Sequence, residues 1–206
     1  MTFGHLVRAA TAWNKEAFLS EQSMVPTIRN LTPDDIPSVA AIYADAVMNG
    51  TASYEVVPPG RDEMAARFAE ITRKGYPFLA ATDDRGDLLG YAYGSPFRTR
   101  PAYRWLVEDS IYVAERARGH GIGKALLEAL IERCEVLGFR QMVGVVGGAS
   151  EASVAVHRSC GFTFAGRLNG SGFKHDLWLD TIFMQRPLGE AQTTKPSLDT
   201  YPGKLV

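Results

Sequence analysis

Val113-Ala114-Glu115-Arg116-Ala117-Arg118-Gly119-His120-Gly121-Ile122-Gly123-Lys124 joins an apolar run, Leu106 to Val113, to a strongly amphipathic one, Lys124 to Leu137. The first run reads as a strand. In the second, Leu126, Leu127, Leu130, Ile131, Cys134 and Leu137 form the stripe of a helix that Gly138 stops. Glycines between the two let the backbone turn tightly and gather several N–H groups toward one point. The helix behind them adds its unpaired amides and the positive end of its dipole. Such a place suits a pyrophosphate, with Arg118 and Lys124 adding charge; a turn of purely structural use is the alternative. A Walker loop requires Ser or Thr after Gly-Lys, and Ala125 stands there. The dinucleotide pattern G-x-G-x-x-G fails as well, because the glycines fall at 119, 121 and 123.

Outward from this loop, strands and helices alternate. Thr27-Ile28-Arg29 is a short strand. Thr32-Pro33-Asp34-Asp35 supplies an N-cap, a proline at the first helical position and acids in the first turn, opening a helix to about Met48. A second helix is expected from Arg61 to Lys74. Phe78 to Thr82 and Leu88 to Gly94 flank Asp83-Asp84-Arg85-Gly86-Asp87, which is hairpin chemistry. After the central helix come a strand over Gln141 to Val146, a short helix over Ser153 to Cys160 and a last strand over Leu177 to Gln185. A hairpin series followed by a strand–helix–strand unit predicts an α+β fold: a mixed, mainly antiparallel twisted sheet with helices on both faces.

The 206 residues, 46% hydrophobic and 22% charged, suit one ordinary domain and exclude global disorder. Residues 1–23 read as an N-terminal extension before a natural start at Met24, 24–189 as the domain, and 190–206 as a polar C-terminal tail. The first residues lack the apolar core of a signal peptide. With 22 Lys+Arg against 23 Asp+Glu, the chain carries no electrostatic footprint for nucleic acid or an anionic membrane. Two cysteines and four scattered histidines without metal-ligand spacing predict neither a disulfide scaffold nor a metal site. A cytoplasmic protein is expected.

The loop pattern R-x-x-G-x-G resembles the coenzyme A pyrophosphate loop of the GNAT superfamily of N-acetyltransferases. Three further stretches are similar to its phosphinothricin acetyltransferase and L-amino acid N-acyltransferase group: Ala102 to Val113, Ala152 to Phe162, and Gly172-Phe173-Lys174-His175 with Trp178 and Asp180. The resemblance spans about Thr27 to Pro187. It implies acetyl-CoA as cosubstrate, no metal, a small-molecule amine as acceptor and a homodimer.

Acetyl transfer to an amine needs a neutral nucleophile, a polarised thioester and an outlet for the thiolate. An α-amino group is largely ammonium near neutral pH and must lose a proton first. Glu108 matches the group's proposed base; a strand-edge glutamate paired with Arg104 or Arg100 is the alternative. Asp109 faces the other side of the strand and is a weaker candidate. The resemblance assigns backbone groups of Ile111, Tyr112 and Val113 to the pantetheine arm and thioester oxygen, where a fixed donor stabilises developing charge. It assigns Arg118, Gly119, His120, Gly121, Ile122, Gly123 and Lys124 to the pyrophosphate. His157 stands where relatives often carry a Tyr that protonates the thiolate; a hydrogen-bonded structural histidine is the other reading. Ser150 replaces an Asn that contacts the coenzyme in many relatives. Ser150 or Ser153 supplies another cofactor contact or caps the following helix.

For the acceptor, Phe97, Tyr103 and Arg104 match substrate-lining positions, and Arg98 lies in the same stretch. An Arg can hold a carboxylate through two parallel hydrogen bonds; a solvated basic loop is the alternative. Lys174 and His175 complete the pocket or an interface between subunits. The expected activity is acetylation of the α-amino group of a small amino acid or analogue such as phosphinothricin, methionine sulfone or methionine sulfoximine. Another amine (a peptide N-terminus, a polyamine, an antibiotic) and a catalytically silent acyl-CoA sensor are the competing readings.

Overall fold

The structure is a computed structural model and describes residues 25–205. The expected extension over residues 1–23 lies outside the described residues. Seven strands form one sheet in the order β1-β2-β3-β4-β5-β7-β6. They are β1 (Thr27–Asn30), β2 (Phe78–Thr82), β3 (Leu88–Pro96), β4 (Leu106–Val113), β5 (Gln141–Gly147), β6 (Thr163–Lys174) and β7 (Leu177–Pro187). Every pairing is antiparallel except β4 with β5. The helices are α1 (Ile36–Asn49), α2 (Arg61–Arg73), α3 (Ile122–Leu137), α4 (Glu151–Ser159) and the short α5 (Tyr201–Lys204). The expected mixed, mainly antiparallel α+β architecture is what the chain adopts.

The period-2 alternation of strand side chains divides the core between two layers. On β2, Leu79 and Ala81 join the α3 side, where Leu126, Leu127 and Leu130 pack. Phe78 and Ala80 turn to the α1–α2 side with Val39, Tyr43 and Met64. All five β2 residues are therefore buried. Tyr91 of β3, fully buried, stacks between Phe78 and Tyr112, with ring centroids 5.9 and 5.2 Å away. At the start of α1 the expected capping signal forms around a single turn of 3-10 helix, Pro33–Asp35. Asp35 accepts from the Thr32 amide at 2.8 Å and from Arg29 through two bonds of 2.7 Å. The Arg29 hydrogen bond, foremost, holds the Asp35 carboxyl at about 2 despite partial burial.

Two segments depart from the sequence reading. The first is β6, a twelve-residue strand where composition gave only the Gly172–His175 signature. Gly166, Gly170 and Gly172 disguise it, and its pairing with β7 slips twice, between Phe164 and Gly166 and between Leu168 and Gly172. The second is the expected polar tail. There Tyr201 packs against Phe139 and Tyr76 at 5.8 and 6.0 Å. The Tyr201 hydroxyl donates to the Lys74 carbonyl, and Pro202 and Gly203 are buried. Composition averaged over the segment conceals these few anchoring residues. Among the described residues no helix is long and apolar enough to cross a membrane.

Docking of this segment has a measurable consequence. Tyr201→Ala removes a ring from the Tyr76–Phe139 cluster and should lower unfolding free energy by about 1–3 kcal/mol. An unchanged denaturant midpoint would mean that the segment contributes nothing to stability.

Candidate active site

The parallel pairing of β4 and β5 runs only from Leu106↔Gln141 to Asp109↔Gly144. Beyond it each strand follows its outer neighbour: Ser110 to Val113 stay on β3, and Val145 to Gly147 stay on β7. The two strands thus splay, and the inner edge of each is left without a strand partner. A cavity of about 550 Å³ fills the opening, lined by Glu108 to Tyr112 from β4, Val145 to Gly147 from β5, and Ser150, Ser153 and His157. Because the opening pierces the sheet, side chains from both faces of β4 reach it. Ile111 and Val113 pack toward α3 while Tyr112 packs toward α1.

Below the opening lies the glycine loop. A 3-10 turn, Glu115–Ala117, leads to Gly119 and Gly121, both with φ +80°. That left-handed conformation favours glycine on backbone grounds alone, since a Cβ at either position would meet open space. Gly121 is the N-cap of α3, and no side chain caps this end. Ala125 N donates to Gly121 O at 3.0 Å, so the amides of Ile122, Gly123 and Lys124 precede the first helical bond. The side chains behave differently from the backbone. Arg118 donates to Asp45 Oδ2 of α1 at 2.8 Å and to Val113 O at 3.3 Å, which ties the loop to α1. His120 Nδ1 sits 2.9 Å from Arg118 O, and Lys124 lies 3.7 Å from Glu128. Ser150 is the N-cap of α4, its hydroxyl accepting from Ser153 N at 3.3 Å. Both serines nevertheless line the cavity.

Glu108 is half-buried on the cavity wall and forms no ion pair among the described residues. Burial foremost, and then the charge of Asp109, push its carboxyl up from 4.5 to about 7, against the opposing pull of Arg98. The alternative pairing with Arg104 or Arg100 is not what forms. Across the opening, Asp109 and His157 are both buried and in contact, His157 Nε2 lying 3.0 Å from Asp109 Oδ1. Burial works against an imidazolium there, but the hydrogen bond and charge of Asp109, helped by the Ser153 carbonyl, raise the His157 pKa above its ordinary value.

The residues expected around the acceptor do not all converge on this cavity. Arg104 donates to the carbonyls of Pro101 and Gly203 at 2.8 and 2.7 Å, and so braces the C-terminal segment. With Tyr103, Arg98, Arg100 and Lys74 it lines a separate basic pocket of about 190 Å³. Phe97 packs edge-on against Tyr103 and carries the Arg98 guanidinium 4.1 Å above its ring. Lys174 is buried, but its ammonium donates to Ser53 O at 2.7 Å and is not part of the cavity lining. It pins the α1–α2 loop and leaves no role on the wall itself.

That loop is the part of the site that sequence reasoning missed. Ala52, Ser53, Tyr54 and Glu55 form a wall of the cavity together with Tyr43 and Thr181. Tyr54 reaches β7, its hydroxyl 2.8 Å from Thr181 Oγ1 and donating to Asp180 O at 3.0 Å. Glu55 accepts from Tyr43 and Arg67 at 3.0 and 2.7 Å. The only local signal is an aromatic and an acid inside a stretch of Gly, Thr, Ser and Pro, which composition reads as connection.

Comparison with known proteins agrees with this geometry. The model of the Acetyltransferase (GNAT) family matches residues 42–162. A phosphinothricin N-acetyltransferase of Alcaligenes faecalis is 48% identical over 171 residues, 82% of this chain and 86% of that protein. An L-methionine sulfoximine/L-methionine sulfone acetyltransferase of Pseudomonas aeruginosa is 40% identical over 79% of this chain and 94% of its own length. Among solved structures, a phosphinothricin acetyltransferase from Sinorhizobium meliloti in complex with AcCoA superposes with a TM-score of 0.87 at 54% identity. That match covers 88% of this chain and 98% of the other. Sheet order, glycine loop and relatives lead to one assignment: the chain is an acetyltransferase and belongs to the GNAT family.

Proposed function

We propose that this enzyme moves the acetyl group of acetyl-CoA to the α-amino group of a small amino acid or analogue of the phosphinothricin, methionine sulfoximine or methionine sulfone type. The observation that carries the reading is the position of Glu108, a proton acceptor poised near neutrality on the wall of the opening between β4 and β5. A pyrophosphate fits the uncapped start of α3, where amides of Ile122, Gly123 and Lys124 and the helix dipole favour an anion. A pantetheine arm fits the unpaired inner edge of Ser110 to Val113, whose peptide groups have no strand partner on that side. Bound there, acetyl-CoA supplies the activated acyl group.

This chain's residues would then do three things. Glu108 takes the proton that the attacking amine must lose, directly or through water. Backbone N–H groups of β4 polarise the thioester oxygen. Enclosure by Tyr43 and the Ala52–Glu55 wall holds the acceptor near the thioester, and orientation of that kind supplies much of a transfer rate. Arg98, which lines the neighbouring basic pocket and whose charge reaches Glu108, is the candidate for the acidic end of such an acceptor, and it would give up its bond to the Phe97 carbonyl to bind it. For pyrophosphate binding, Arg118 would exchange Asp45 for the ligand. A second copy of the chain is the expected partner, and the exposed Phe164, Leu168, Phe173, Leu177 and Trp178 on the β6–β7 edge hairpin supply the apolar surface for it.

Three measurements follow. A thiol-release screen with acetyl-CoA should find turnover with α-amino acids or analogues bearing an acidic end. Turnover confined to polyamines or peptide N-termini would reject the substrate class, and binding without turnover on any amine would reject catalysis. In the wild type, kcat/KM should rise with pH through about 7 as Glu108 ionises. Glu108→Gln should lose that inflection and roughly 10²–10⁴-fold in rate while still binding acetyl-CoA; unchanged turnover would remove Glu108 from the mechanism. The same carboxyl binds its proton more tightly folded than unfolded, so wild-type stability falls as pH rises from 4.5 to about 7. Glu108→Gln should therefore be the more stable protein near pH 8 by on the order of 1–3 kcal/mol, with the gain vanishing near pH 4. Parallel denaturation of both proteins at the two pH values reads this directly.

A further inference from the structure

Asp109 carries no role in the reaction as derived so far, and its neighbour His157 has two hydrogen-bonding nitrogens that are both engaged. Nδ1 lies 2.7 Å from the Ser153 carbonyl oxygen, one turn back along α4, and Nε2 lies 3.0 Å from Asp109 Oδ1. A carbonyl oxygen only accepts, so Nδ1 bears a hydrogen. A second hydrogen must then lie between Nε2 and Asp109, because a nitrogen lone pair facing a carboxylate oxygen at that distance inside the protein is repulsive. The pair therefore holds one proton more than a carboxylate beside a neutral imidazole.

The surroundings keep that proton in place. His157 and Asp109 are 4% and 6% exposed, and Asp109 Oδ2 is buried with no hydrogen-bond partner. Loss of the shared proton would leave the Asp109 carboxylate buried without any hydrogen bond, which is costly. The groups packed around the pair offer no substitute: Glu108 on β4 is a second acid, and Gly144 on β5 has no side chain. Cys134 on α3 is a buried thiol that Asp109 itself pushes up, after burial, and Phe162 presents a ring edge at 5.0 Å. Gly144 is also what admits the pair, since a Cβ there would lie 2.4 Å from His157 Nε2 and 3.2 Å from Asp109 Oδ2.

We propose that Asp109 is a positioning residue that holds His157 as a buried imidazolium in the wall of the cleft, ready for the sulfur that leaves when the thioester breaks. The proposal rests on the acetyl-transfer reading. In the step, the amine nitrogen bonds to the acyl carbon, the C–S bond breaks and its electron pair goes to sulfur. Glu108 takes the amine proton, and sulfur leaves as a thiolate whose charge the imidazolium stabilises while both of its N–H groups stay bonded to Ser153 and Asp109. The thiolate then takes a proton from solvent in the cleft, and Glu108 releases its proton to solvent.

The test is imidazole NMR on the full chain across pH, with the His157 signal assigned by its loss in His157→Gln. In the wild type the imidazolium should persist above the ordinary value of about 6.5. In Asp109→Asn it should titrate at least about one unit lower, because burial is then unopposed. Turnover of Asp109→Asn should fall about tenfold or more above neutral pH, with its high-pH limb moved down and acetyl-CoA affinity held within about twofold. A neutral His157 at pH 7 in the wild type would overturn the proposal with no variant needed, so poor folding of Asp109→Asn does not shield it. An unmoved high-pH limb would overturn the catalytic role of the pair. Persistence of the imidazolium in a protein that releases thiol with no amine would instead overturn the acetyl-transfer reading, and the two failures are thereby distinguished.

Discussion

Four residue pairs, Leu106–Gln141 to Asp109–Gly144, are all that join the two halves of the sheet by strand pairing. On one side of that seam, β1 to β4 form an antiparallel meander; on the other, β5 joins the β6–β7 hairpin. Where the seam ends, the strands separate, and the cavity, the unpaired strand edges and the Asp109–His157 contact all occupy that separation. The arrangement is costly unless each half is independently supported, because an unpaired strand edge leaves peptide groups without partners. Support comes from α3, whose buried stripe lies across β2, β3 and β4, and from the seven-pair ladder between β5 and β7. The functional groups therefore sit on rigid elements, with the α1–α2 loop as the one wall built from irregular chain.

Electrostatics at the seam follow from the same geometry. Consecutive residues Glu108 and Asp109 point to opposite faces of β4, and ordinarily a sheet would keep them apart. The splay lets both border one cavity, and the charge of Asp109 helps raise the Glu108 carboxyl. Their fates differ because their partners differ. Asp109 has an imidazole at hydrogen-bond distance, whereas Glu108 has only partial burial and the distant Arg98. Two adjacent carboxyls thereby acquire distinct surroundings, one hydrogen-bonded to an imidazole and one without an ion-pair partner among the described residues.

Much of this was legible in the chain. The glycine loop with the α3 stripe announced the left-handed turn, the helix start behind it and the strand–helix unit around them, because left-handed glycines and helical periodicity are local properties. The resemblance singled out Glu108, and the fold places it on the cavity wall. Arg104 misled because an Arg near a candidate base reads the same whether it faces a ligand or a distant carbonyl, and Gly203 lies 99 residues away. Lys174 misled in the same manner, its ammonium spent on Ser53, 121 residues earlier. The β6 strand was hidden by glycines that accommodate its register slips, and the docked tail by a composition in which a few apolar anchors are diluted. Each miss involves a contact between segments remote in sequence, which local pattern does not encode.

An interrupted sheet has two strand edges that face inward across a cleft instead of outward to solvent. Such edges are less exposed to intermolecular strand addition than the outer edges of a sheet. They remain unfinished, however, and on the proposed reading an extended ligand lying between them would act as a surrogate strand bridging halves otherwise joined by four residue pairs. Occupancy and cohesion then become one thermodynamic quantity. A ligand at a hundred times its Kd adds about 2.7 kcal/mol to the folded state, and here that increment acts at the narrowest join in the molecule. In a cell, the supply of activated acyl groups would set how long the protein survives as well as how fast it works.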